Sequence, residues 1–321
     1  MLSRRDCLVL SASSAAALAL GPRLASAQFA GPINRRPIPS SGEELPIIGL
    51  GSSATFSELA SAEEIEALKG VFETMVESGG SVFDTAPSYG RGSSEEVGGQ
   101  IAAELGIGDR IFWATKVNAL GFRAGPGATA DPAAVRQQLE TSYARLQRDN
   151  IDLIQVHNVA DLATQFPILQ EYKQADRVRY IGATTTFKPQ YETLEQFMRS
   201  EPLDFIGIDY AVDNRDAADT IFPLARDRGI AVMVYMPFGR TRLWDRVSGH
   251  EVPAWAREFG AESWAQFFLK YAASHPDVTV VTPATSKPHH MLDNMAAAYG
   301  RMPDAAERRR MAEYVDALPG G

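Results

Sequence analysis

From Leu45 onward the chain repeats one pattern eight times: a short apolar run, often closing on a small or polar residue, then a longer stretch with helical spacing. The apolar runs cover residues 47–51, 81–84, 111–116, 151–157, 178–184, 204–209, 230–235 and 278–282. Runs of this length bounded by turn residues read as buried strands. Between them, Ile65, Leu68, Val71, Phe72, Met75 and Val76 fall on one helical face. Val135, Leu139, Ser142, Tyr143 and Leu146 fall on another, with Asp131-Pro132 as its cap and first turn. Eight strands alternating with helices predict an α/β chain, a (β/α)8 TIM barrel in a single domain over residues 45–321. The rival is a doubly wound open sheet, whose Gly-x-Gly-x-x-Gly turn after the first strand is missing: Gly49-Leu50-Gly51-Ser52-Ser53-Ala54 lacks the third glycine.

Parallel α/β folds carry their chemistry at the carboxyl ends of the strands. The second run ends on Asp84, and the loop after it reads Thr85-Ala86-Pro87-Ser88-Tyr89-Gly90 before a helix opens near Ser93-Ser94-Glu95. Taken alone, a strand-end Asp is an ordinary turn former and a loop Tyr an ordinary packing residue. The third run ends on Lys116 and the fourth on His157. A lysine closing an apolar strand is unusual, because burying an unpaired ammonium is costly, and Asp84 on the neighbouring strand is its natural partner. Asp84, Tyr89, Lys116 and His157 thus belong to the ends of three consecutive strands.

These residues carry a resemblance. Asp84-Thr85-Ala86-Pro87-Ser88-Tyr89-Gly90, then Ser94-Glu95-Glu96-Val97-Gly98, Ala114-Thr115-Lys116 and Asp152-Leu153-Ile154-Gln155-Val156-His157 are similar, in order, to the motifs of the aldo-keto reductases. The resemblance runs from about Leu45 to Ala298. It implies a nicotinamide-dependent oxidoreductase interconverting a carbonyl compound and an alcohol, with NADP(H) as the usual cofactor and NAD(H) as the alternative. Tyr89 is then the general acid, its pKa lowered by Lys116, which Asp84 holds and balances, while His157 orients the substrate oxygen.

The resemblance also implies cofactor contacts. Thr285, Ser286 and Lys287 match the segment that meets an adenosine 2′-phosphate, Asn294 the residue that meets adenine, and Tyr235 the ring that stacks on nicotinamide. Thr184-Thr185 stand where the family has Ser-Asn to hold the carboxamide, Gly207 where it commonly has Gln, and His290 where it often has a second basic residue. Position after strands one, three, four and seven nominates Phe56, Trp113, Asn118, Asn158, Phe238 and Trp244 as walls of the substrate pocket. The long segments 118–130 and 237–253 are candidate lids or walls.

The N-terminus reads as a separate element. Ser3-Arg4-Arg5-Asp6-Cys7-Leu8, an apolar run to Leu20 and the small-x-small site Ala25-Ser26-Ala27 predict a twin-arginine export signal over residues 1–27. The run is too short for a stable membrane span. Secreted protein then starts at Gln28 in the periplasm or outside the cell, with the twin-arginine export machinery as a partner. Residues 28–44 read as a linker or N-terminal cap. Cleavage removes the only cysteine, Cys7, and takes the formal charge from −9 to −11, with 28 basic against 39 acidic residues. That acidity argues against nucleic acid or an anionic membrane surface as partner and leaves a small molecule. Two other classes stay open on the residues alone. One is a nucleotide-binding sensor with little turnover, favoured by Gly207 and Thr185. The other is a metal-dependent hydrolase using Asp84, His157 and Asp209, which lacks a His-x-His pair.

Overall fold

The computed structural model describes Phe29 and residues 31–53, 55–56, 62–121, 125 and 127–318; the expected export signal at 1–27 lies outside the described residues. A two-stranded hairpin, β1 (Arg35–Pro37) and β2 (Glu44–Pro46), comes first. Eight strands follow: β3 (Leu50–Gly51), β4 (Val82–Asp84), β5 (Phe112–Val117), β6 (Ile151–Val156), β7 (Val178–Thr185), β8 (Phe205–Asp209), β9 (Ala231–Tyr235) and β10 (Val280–Val281). They pair in sequence order, each parallel to its neighbour. The two ends of the sheet also meet. Gly49 N–H donates to Val281 O, Val281 N–H to Ile47 O and Gly51 N–H to Pro283 O, each at 2.9 Å.

The helices are α1 (Ala62–Glu77), α2 (Ser93–Glu104), α3 (Pro132–Leu146), α4 (Leu162–Gln174), α5 (Tyr191–Ser200), α6 (Ile221–Arg228), the short α7 (Arg242–Arg246), α8 (Trp264–Ala273), α9 (Pro288–Ala296) and α10 (Ala305–Ala317). The capping expected at α3 is present: the Asp131 side chain accepts from Ala133 N–H at 2.9 Å, with Pro132 in the first turn. Its stripe Val135, Leu139, Ser142, Tyr143 and Leu146 is buried. Among the described residues no helix is long and apolar enough to cross a membrane.

Side chains alternate across a strand, so every second residue points into the sheet's concave side and the rest point to the helices. The inner row contains Val82, Phe112, Ala114, Leu153, Tyr180, Phe205, Ala231, Met233, Tyr235 and Val280, all buried in one apolar cluster. Ile38 and Leu45 belong to that same cluster. The stretch 28–44 showed no period in sequence, yet its second half and the residues just after it form a hairpin that seals the amino-terminal end of the strands. Two apolar side chains on a two-strand ribbon are enough to do this but too few to show a period.

Candidate active site

At the opposite end, where the strands terminate, lies a cavity of about 750 Å³. Parity decides which side chains reach it. Asp84 continues the inner row of β4 after Val82, and Lys116 that of β5 after Phe112 and Ala114. Their side chains therefore converge at full burial, 3% and 1% exposed. Lys116 Nζ donates to both Asp84 oxygens and to Thr85 O, each at 2.8 Å. It also stands 5.0 Å from the ring centroid of Tyr89 and the same distance from that of Tyr235. The Tyr89 ring meets the His157 ring edge-on, with centroids 5.8 Å apart at 82°. All four residues expected to carry catalysis line the one cavity.

The motif after Tyr89 is there to hold the loop in place. Ser94 Oγ lies 2.8 Å from Thr85 Oγ1 and donates to Ser52 Oγ at 2.7 Å, while Ser52 Oγ donates to Asp84 O at 2.9 Å. Glu95, fully buried, accepts from Thr115 Oγ1 at 2.7 Å. Gly98 permits α2 to sit on β4: a Cβ there would come within 2.6 Å of the Phe83 ring. On the far side of the site, Asn158 and Val159 have φ of 57° and 46°. Left-handed backbone at a β-branched residue is strained. This tight turn places His157 and Asn158 on the cavity, and the Asn158 N–H is taken up by Thr184 Oγ1 at 3.2 Å.

The electrostatics differ from expectation at one point. Burial, the largest single influence, pulls the Lys116 ammonium down, but Asp84 and Tyr89 together outweigh it and the net direction is upward, so Lys116 is charged at neutral pH. At Tyr89, burial pushes the phenol up and Lys116 pulls it down; burial wins, and the hydroxyl is held above its ordinary value rather than below it. Desolvation of the phenolate is the reason. Lys116 limits this rise without reversing it, and Tyr89 stays protonated at neutral pH, the state a proton donor needs.

Burial, with Lys116 adding to it, pushes the His157 imidazole down to about 3, and burial with nearby arginines pushes His275 down to about 4. Both stay neutral in the fold below pH 6.5, where the unfolded chain takes up protons. Stability is therefore lost as pH falls through 6.5 toward these values, by up to ~1.4 kcal/mol per pH unit for each histidine. His157→Gln should flatten this acid slope in urea unfolding measured from pH 7 to 4. An unchanged slope would mean that His157 is already charged in the fold.

Of the expected cofactor contacts, Thr184, Tyr235, Thr285 and Asn294 line the cavity. Thr185 does not: one position out of phase, it points away, and its hydroxyl donates to Gln190 Oε1 at 2.6 Å and accepts from Phe187 N–H at 3.1 Å. Ser286 and Lys287 are exposed and outside the cavity lining. Thr285 Oγ1 accepts the Lys287 N–H at 3.2 Å, a turn that starts α9 and leaves both side chains on the surface.

Of the expected pocket walls, Asn158, Phe238 and Trp244 line the cavity, and Phe56, Trp113 and Asn118 do not. Trp113 falls on the outer row of β5, where its Nε1 donates to Gly108 O at 2.9 Å and its ring packs edge-on against Phe83. Phe56 is core, against Phe72 and Phe83. Asn118 ties down its own loop, its side chain accepting from Leu120 N–H at 3.1 Å and its N–H donating to Gln138 Oε1 at 2.7 Å.

Sequence reasoning missed Trp264, Ser263 and Asp293 in the lining. Ser263 caps α8 and its Oγ donates to Asp293 Oδ2 at 2.8 Å, a contact between α8 and α9 that no sequence window contains. Arg240 and Thr241, also in the lining, lie in the long segment already singled out. Among the described residues no three His, Cys, Asp or Glu side chains group as a metal site.

The profile of the aldo/keto reductase family matches residues 47–306. The aldo-keto reductase YhdN of Bacillus subtilis is 29% identical over 202 residues, which is 62% of this chain and 60% of that protein. The NADH-specific methylglyoxal reductase of Escherichia coli is 24% identical over 279 residues, covering 74% and 84% of the two chains. An aldo-keto reductase from Klebsiella pneumoniae, solved with NADPH, superposes with a TM-score of 0.73 at 22% identity over 91% of this chain and 98% of that one. With the family profile spanning most of its length, the chain belongs to the aldo/keto reductase family.

Proposed function

We propose that the chain reduces an aldehyde or ketone to an alcohol with a reduced nicotinamide dinucleotide, or runs the reverse reaction. The observation that carries this is the convergence of the Asp84–Lys116 pair, Tyr89 and His157 in one cavity. The cavity runs from these four residues to Asn294 on α9, with Thr184, Tyr235 and Thr285 along it. That donor set suits an extended nucleotide. When bound, such a nucleotide would supply the hydride for the carbonyl carbon. Tyr89 gives its proton to the carbonyl oxygen, so hydride and proton together make the alcohol. Lys116 steadies the phenolate left behind, Asp84 keeps Lys116 charged and in place, and neutral His157 hydrogen-bonds the oxygen. The NADH-specific relative and the NADPH-bound neighbour support both nucleotides as candidates. Phe238, Trp244 and Trp264 give the pocket an aromatic wall suited to a substrate with an apolar face. The test is oxidation of NADPH and of NADH by the purified chain with a panel of aldehydes, quinones and keto-sugars. No turnover with any of them would overturn the reading.

The twin-arginine pattern at Arg4-Arg5 supports export of the folded protein, and this route implies that nucleotide is taken up before export and stays bound. Changing Arg4 and Arg5 to Lys should leave the protein in the cytoplasm with its N-terminus uncut. Exported protein should begin at Gln28 and release nucleotide on denaturation, detectable by mass spectrometry. Unaltered export of the Lys variant, or exported protein free of nucleotide, would contradict the respective part.

A further inference from the structure

Tyr235 ends β9 and continues its inner row after Ala231 and Met233. Its ring lies across the neighbouring strand at Gly207. A Cβ at position 207 would stand 2.4 Å from Tyr235 Cε2 and 2.6 Å from its hydroxyl oxygen, so no larger residue fits beside the ring as placed. Gly207 is not among the glycines with positive φ, so space and not backbone conformation demands it. The room left at Gly207 lets the phenol reach the floor of the site. There its hydroxyl donates to Asp84 Oδ1 at 3.2 Å and accepts from Gln155 Nε2 at 3.0 Å. Gln155, fully buried, leaves its Oε1 without a hydrogen-bond partner among the described residues. A buried orphan acceptor costs stability, so an apolar residue would serve better if packing were the only task. The amide earns its place through the N–H it gives Tyr235.

We propose that Tyr235 is a positioning residue: a Gln155–Tyr235–Asp84 hydrogen-bond chain, admitted by Gly207, fixes the Asp84 carboxylate on Lys116 and thereby the ammonium beside Tyr89. This rests on the reading of Tyr89 as proton donor and adds a task for the Tyr235 hydroxyl distinct from any its ring performs against nicotinamide. Asp84 is faced by Lys116 from β5, by Tyr235 from β9 and by Tyr89 from its own loop. His157 after β6 acts on Lys116, and Arg240 after β9 acts on Tyr89. Among these, Lys116 and Tyr235 hydrogen-bond to the carboxylate. A donated hydrogen bond favours the ionised carboxyl, so its loss lets Asp84 take up a proton at higher pH.

Tyr235→Phe keeps the ring over Gly207 and removes only the hydroxyl. Turnover should fall about ten-fold, with the acid limb of its pH profile moved up by about one pH unit and nucleotide affinity unchanged. In the cofactor-free protein, the 13C carboxylate signal of Asp84, assigned with Asp84→Asn, should show the same upward shift in its midpoint. Gly207→Ala, which drives the ring off its seat, should move the midpoint in the same direction. An Asp84 midpoint unmoved in Tyr235→Phe, with or without a lower melting temperature, would overturn the proposal. The titration needs no turnover, so it decides the hydrogen-bond chain even if the carbonyl-reductase reading fails.

Discussion

Lys116→Met should be the most damaging single change at the site, costing turnover ~100-fold or more and about 3–5 kcal/mol of stability. The two losses have separate causes. Asp84 and Lys116 are both almost fully buried, and Asp84 receives two of its hydrogen bonds from Lys116. Removing the ammonium leaves a carboxylate in a low-dielectric site without its counter-charge, which is where most of the stability loss comes from. The turnover loss comes from Tyr89, whose phenolate no longer has a cation beside it. Adding Asp84→Asn to Lys116→Met removes the stranded charge and should recover much of the stability by urea unfolding. It should recover none of the turnover. Joint recovery would show that Lys116 serves the fold and not the reaction.

Tyr89→Phe should lower carbonyl reduction ~100-fold or more while leaving stability and nucleotide affinity near the parent values. The ring that packs on His157 is retained, and the hydroxyl that carries the transferable proton beside Lys116 is lost. The parent enzyme should reduce carbonyls across neutral pH and lose that activity as pH rises through the Tyr89 pKa, because burial holds the phenol protonated well into the alkaline range. Oxidation of the alcohol requires the opposite state and should gain over the same rise. A Phe variant with the parent's rate and pH profile would remove Tyr89 from the reaction.

The sequence carried much of this because the fold is built from strong local signals. Eight apolar runs in alternation with helical stretches specify eight parallel strands, and a charged residue that closes an apolar strand needs a partner on the neighbouring strand end. Asp84 and Lys116 were legible as a pair on that ground and His157 as the end of the next strand, while the roles of Tyr89 and His157 came from the resemblance of their motifs to those of the family. What was not legible was phase. Thr184 and Thr185 look equivalent in a list of strand-end residues, yet one faces the cavity and the other caps its own loop. Trp113 fails as a pocket wall for the same reason, three residues before Lys116 and on the other face. Gly207 read as a missing side chain, and the structure gives the space to a residue 28 positions later, Tyr235. The pairing of Ser263 with Asp293, and the strained turn that carries His157, arise from tertiary packing and leave no pattern in one dimension.

The claim that Lys116 acts through Tyr89 is tested most directly by a cycle of four proteins under conditions where all are folded: the parent, Lys116→Met, Tyr89→Phe and the double variant, compared by carbonyl-reduction turnover. If the ammonium works through the phenol, it has nothing left to act on once the phenol is gone, and the double variant should be no slower than Tyr89→Phe within a few-fold. Losses that multiply, with the double variant slower than either single one by the product of both, would show that the two residues act independently and would contradict the account.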